Sequence, residues 1–154
     1  PAKAERTAKV CLLLPLDGAD LAAANKLAET AVTLGKDHAW VAYYQFAKGL
    51  AEYRQANFAQ AVEWTQKALR EPGTDYSRDI QAYSVLAMAL HRLNQAGEAR
   101  GALSKITELA GAKLPRLDSG DLGPAWHDWI IAQTLLREAK ALIEGGARTG
   151  GETK

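Results

Sequence analysis

Apolar positions recur along this chain at helical spacing, and sustained period-two alternation of the strand type is missing. A first helix is expected over residues 4–14, ended by Pro15-Leu16-Asp17-Gly18. Residues 20–34 carry Leu21, Ala24, Leu27, Ala28, Ala31 and Val32 at helical spacing. Gly35 follows where a left-handed C-terminal residue is expected. A third helix is read over 38–54 and a fourth over 58–70, with Gln55-Ala56-Asn57 as the turn and Pro72-Gly73 as the stop. Residues 75–93 and 97–109 form the next pair around Asn94. After a Pro-, Asp-, Ser- and Gly-rich loop (113–123), Pro124 sits at an expected first helical position, and the last helix runs to about Ile143. The expected domain is 1–144. The Gly-rich tail 145–154 has no apolar face to bury and is expected to be flexible.

One longer period overlies the helical one. Ala24, Ala61 and Ala99 recur at intervals of 37 and 38 residues, each within an Ala-rich helical pattern. Self-similarity at this length is the signature of stacked repeats. Short turns within each pair impose antiparallel packing. A pair too small to bury both its faces needs neighbours.

Composition narrows the classes. The 154 residues suit one ordinary domain, and 47% apolar with 24% charged residues is typical of a globular chain. A net charge of +1 offers no basic excess for a nucleic-acid backbone. No apolar run approaches a membrane span, and Val10 to Leu14 is stopped by Pro15. With Cys11 the single cysteine, no internal disulfide forms, and no secretion signal is read at the start. These features give a cytoplasmic expectation. The chain begins at Pro1, which we read as a segment of a longer parent, although removal of an initiator Met would look the same.

The stretch from Lys48-Gly49-Leu50-Ala51-Glu52-Tyr53-Arg54 through Gln55-Ala56-Asn57 to Phe58-Ala59-Gln60-Ala61 resembles a tetratricopeptide repeat (TPR). Gly49 takes the small position of the first helix. Phe58, Ala61 and Ala68 take the aromatic and small positions of the second, and Pro72 lies near the closing proline. The third pair fits with Leu86, Ala87, Ala99, Leu103 and Ile106. The first fits more loosely, with Cys11, Leu12, Leu21, Ala24, Ala28 and Ala31. The spacings exceed the 34 residues of that family, and Pro15 interrupts the first repeat. The resemblance implies an all-α fold: a right-handed stack of three TPR-like antiparallel helix pairs plus a C-terminal capping helix, about seven helices in all. Residues 5–15, 117–123 and 126–143 also resemble the TPR regions that follow the kinase domain in planctomycete-type bacterial serine/threonine protein kinases. That likeness implies an accessory region of a signalling protein.

Catalytic chemistry is not written in the chain. His38, His91 and His127 share no metal-ligand spacing. His91-Arg92-Leu93-Asn94 is superficially similar to a kinase catalytic loop but lacks its Asp. An enzyme would have to draw on Glu52, His91 and Asp128. Neither a metal nor a cofactor is expected. Cys11 reads as a buried structural thiol. Asp17-Gly18-Ala19-Asp20 and Asp118-Ser119-Gly120-Asp121 read as turns, the first supplying a helix cap.

The aromatics of 38–54 are more informative. The TPR resemblance implies a concave groove lined by Tyr43, Phe46, Leu50, Tyr53 and Arg54, and by Gln81, Ser84, Met88, His91 and Arg92. Tyr, Arg and Met are enriched at interfaces. The competing reading buries part of this set in the core. Trp129 is expected to pack in the core or cap, and Trp126 at an edge or an oligomer contact. The expected function is a protein–protein interaction scaffold holding a protein or peptide partner, and not an enzyme. Nucleic acid and membrane are not expected partners. The alternative is a structural or self-association module, in which a homo-oligomer fills the groove.

Overall fold

The computed structural model describes residues 1–116, 118 and 120–148. It is all-α, with seven helices and no strand among the described residues. The Ala-rich periodic segments become helices, and the Pro- and Gly-rich stretches become the breaks. The helices fall into two units, Pro1–Thr74 and Asp75–Lys154.

The first unit contains α1 (Ala2–Leu12), α2 (Gly18–Leu34), α3 (Val41–Arg54) and α4 (Phe58–Arg70). The central helix is α3, packed upon by the other three. Every residue from Phe46 to Tyr53 is therefore buried, the polar Lys48 and Glu52 included. Gly49 lets α4 approach, since a Cβ there would lie 2.8 Å from Thr65 Cγ2. Facing it, Thr65 is buried and donates its hydroxyl hydrogen to the Ala61 carbonyl at 2.7 Å. Tyr44 packs with Ala31 and Val32, and Trp64 closes the edge of that cluster.

Gly35 is not left-handed as expected; its φ is −108°. Space demands glycine there: a Cβ would fall 2.2 Å from Tyr44 Cδ2. Cys11 is exposed and not buried. The inward face of α1 is set by Glu5, Ala8, Lys9 and Leu12, which turns Val10 and Cys11 outward. Asp17 stands at the N-cap of α2 as expected but makes no side-chain cap bond.

The second unit contains α5 (Tyr76–Arg92), α6 (Ala96–Lys113) and α7 (Trp126–Arg148). Here α5 is central. Both α6 and α7 pack on it, and they touch each other only slightly. Asp75 caps α5, accepting from the Arg78 N–H at 3.0 Å. Pro124 sits in a turn just before α7 and not in its first position. The last helix continues through Gly145 to Arg148, beyond the expected end at Ile143. The remainder of the expected tail, 149–154, lies outside the described residues, as do Leu117 and Ser119 of the preceding loop.

The two tight connections, α3–α4 and α5–α6, are built alike. Ala56 and Asn94 both take φ 62°. The Asn57 N–H reaches the Glu52 carbonyl at 2.9 Å, and the Gln95 N–H reaches that of Leu90 at 3.0 Å. The Ala56 and Asn94 N–H groups close the inner bonds, to Tyr53 and His91 respectively. These are Schellman turns, which satisfy the last helical carbonyls and reverse the chain. They lie 38 residues apart, as do the buried Ala61 and Ala99 that follow them.

Candidate binding surfaces

The residues expected to line a groove are mostly interior. Phe46, Leu50, Gln81, Ser84 and Met88 are fully buried, and Tyr53 nearly so. The Tyr53 ring lies 5.7 Å from that of Phe58 and 5.6 Å from the Arg54 guanidinium. Gln81 donates from Nε2 to the Asp128 carbonyl of α7 at 3.0 Å, and Ser84 donates to the Ile80 carbonyl of its own helix. Helices that contact neighbours on several sides leave no lining face, so burial takes these side chains away from a partner. Of the α3 aromatics, Tyr44, Phe46 and Tyr53 are core.

Arg54 is already engaged. Its Nε and Nη2 donate to the Leu12 and Leu13 carbonyls at 2.9 Å each, capping α1. Tyr43 is half-buried with Lys9 Nζ 5.4 Å from its ring. His91 is partly exposed and Arg92 exposed, at the end of α5. Of the residues an enzyme would have used, Glu52 is held by Lys48 at 2.6 Å and Asn57 at 2.8 Å. Asp128 is held by His127 at 3.2 Å.

Lys48 is the hub of a polar network between α2 and α3. It pairs with Glu29 at 2.8 Å as well as with Glu52. Asn25 bonds the Gln55 amide at 2.9 Å beside it. Burial lowers the affinity of Lys48 for its proton, but the hydrogen bonds and charges of Glu29 and Glu52 outweigh it, so the ammonium is held above its ordinary range. Tyr44 shifts upward too, first because burial disfavours the phenolate and then through the nearby Glu5 carboxylate, with Arg6 opposing. Its hydroxyl lies 3.3 Å from His38 Nδ1, onto which the Trp40 N–H also converges at 3.1 Å.

Open clefts lie elsewhere. In the first unit, Val32, Val41, Gln45 and Trp64 line one of about 380 Å³, with Glu29 and Lys36 at its rim. In the second, the slight contact between α6 and α7 leaves one of about 730 Å³. Leu103, Thr107 and Ile143 form the wall, and Arg100, Glu108 and Glu144 the charged edge. The sequence reading missed this cleft because helical spacing within α6 and α7 does not show how closely the two helices pack on each other. The signal available was the narrow apolar stripe of α6 (Ala99, Leu103, Ile106), wide enough to cover one neighbour.

No helix among the described residues is long and apolar enough to cross a membrane. No protein-family model, curated protein or solved structure matches the chain.

Proposed function

We propose that this chain is a TPR-like protein-interaction scaffold, an accessory region of a larger bacterial signalling protein that works in the cytoplasm. Its partner segment lies in the α6–α7 cleft. The observation that carries this reading is the cleft itself: an apolar floor of Leu103 and Ile143 with charge of both signs around it. Apolar grooves between helices take amphipathic peptide segments, whose anchors fill the floor while charges at the rim set register. The repeat reading is supported by two like Schellman turns 38 residues apart, each followed by a buried alanine. It assigns no chemistry to the segment, and places the partner surface outside the α3 and α5 side chains that the TPR resemblance implied.

The test is selection of a displayed random-peptide library on the folded chain, with the Ser104→Arg/Thr107→Arg variant as counter-target. Both positions are exposed, so the variant keeps its helical circular dichroism. Peptides should enrich on the parent chain and lose at least about tenfold in affinity on the variant, roughly 1.4 kcal/mol. Equal binding to both would remove the cleft from the account.

A second reading is a self-association module. It is favoured by large apolar side chains left in water: Val10 on α1 and Leu14 just after it, 68% and 65% exposed, and Trp126 and Ile130 at i, i+4 on α7.

A further inference from the structure

The inner face of α7 (Ile131, Ala132, Leu135, Leu136, Ala139, Ile143) is buried. Its outer face is a second seam. Trp126, Ile130, Gln133, Arg137, Lys140 and Glu144 follow one another at steps of four and three, the 3.5-residue period along which two helices can lie side by side. The N-terminal end of the seam is bulky: Trp126 is 55% exposed and Ile130 39%. The C-terminal end is hollow. Ala141 and Gly145 form a dent of about 230 Å³ flanked by Lys140 and Glu144.

We infer that α7 pairs antiparallel with α7 of a second copy, each Trp126 seating in the other's Ala141–Gly145 dent. This deepens the self-association reading and does not depend on the α6–α7 cleft having a partner.

Shape, charge and symmetry point to the same occupant. The dent is of a size with a tryptophan side chain and lies between two small residues, so an indole enters without displacing the helix. Lys140 brings an ammonium to the ring face, a cation–π contact, and Glu144 offers a carboxylate to the indole N–H. Trp126 and Ala141 stand about 22 Å apart along the helix. The same separation exists in both copies. An antiparallel two-fold arrangement therefore engages both indoles at once, and a parallel arrangement engages neither. Near the two-fold axis, Gln133 of one copy meets Arg137 of the other, amide oxygen to guanidinium. A single helix pair is a small interface, below about 1,200 Å² in total, so the dimer belongs to the weak, concentration-dependent class.

The test is sedimentation equilibrium of the whole chain between about 10 µM and 1 mM, a range that brackets weak dimers. The parent chain is compared with Trp126→Ala, Ala141→Gln, and a one-to-one mixture of the two. Both sites are exposed, so circular dichroism should match the parent. The first variant loses the indole and keeps the dent; the second fills the dent and keeps the indole. Each alone should dimerise at least about tenfold more weakly than the parent. The mixture should regain part of the loss, because a mixed pair restores one seated indole. A parent chain that stays monomeric throughout overturns the inference and leaves the face to a different chain. Variants as associated as the parent, or a mixture no tighter than either variant, overturn it as well. None of these variants touches Ser104 or Thr107, so failure here leaves the cleft reading standing.

Discussion

A methyl group at Gly35 would sit inside the Tyr44 ring, and one at Gly49 would press on Thr65. Overpacking of this kind costs about 1–3 kcal/mol. Gly35→Ala and Gly49→Ala should each lower the urea midpoint with little change in slope, and a midpoint within error of the parent would refute the close approach. Ala56 is the reverse case. A non-glycine residue at φ 62° is strained, whereas glycine is not. Ala56→Gly should therefore stabilise by up to about 1 kcal/mol, and Ala56→Val should destabilise. Small residues at these places were legible as a pattern. The reason was legible for Gly49, the small position of a helix crossing, but not for Gly35, which reads as a helix stop while its actual constraint comes from a ring nine positions away. The titratable side chains give a pH dependence. Lys48 and Tyr44 both hold their protons more tightly folded than unfolded, so both contribute stability at neutral pH that is lost as pH rises beyond about 10. The thermal midpoint should fall steeply above that pH, and Tyr44→Phe should flatten the fall. Lys48→Met leaves Glu52 buried without its ammonium and should cost about 2–3 kcal/mol at pH 7.

Each helix was legible from periodicity, and the α4 bounds match the sequence reading. Helix ends were harder where the limit came from partners and not from breakers: α6 and α7 outrun their apolar stripes because nothing in Gly111 or Gly145-Gly146 compels a stop. The phase of α1 was misjudged because Val10 to Leu14 is apolar all round, and Glu5 with Lys9 occupies the inward face as a buried ion pair at 2.7 Å. Arg54 acts at this scale. It joins α3 to the end of α1 through two carbonyls, so Arg54→Met should cost about 1–2 kcal/mol and speed amide exchange in the last turn of α1 before any other helix. Exchange rising equally in α2 and α4 would show that the contact is not a local cap.

At the scale of the molecule, the all-helical class and the 38-residue period were legible, since both arise from local pattern repeated. The partner surface was not. A residue-by-residue match to a repeat places Phe46, Leu50 and Met88 on a groove, but exposure depends on how many neighbours each helix acquires. Packed upon by three helices and by two, α3 and α5 bury Phe46, Leu50 and Met88. The slight contact between α6 and α7 opens a surface that no local spacing announces. The place where a bound peptide lies tests the cleft most directly. Titrating a library-selected peptide into the isotope-labelled chain and following backbone amide shifts should move residues 100–108 of α6 and those around Ile143 and Glu144, saturably and together. Shifts gathered on α3, or on the end of α5 at His91 and Arg92, with α6 unmoved, would contradict it.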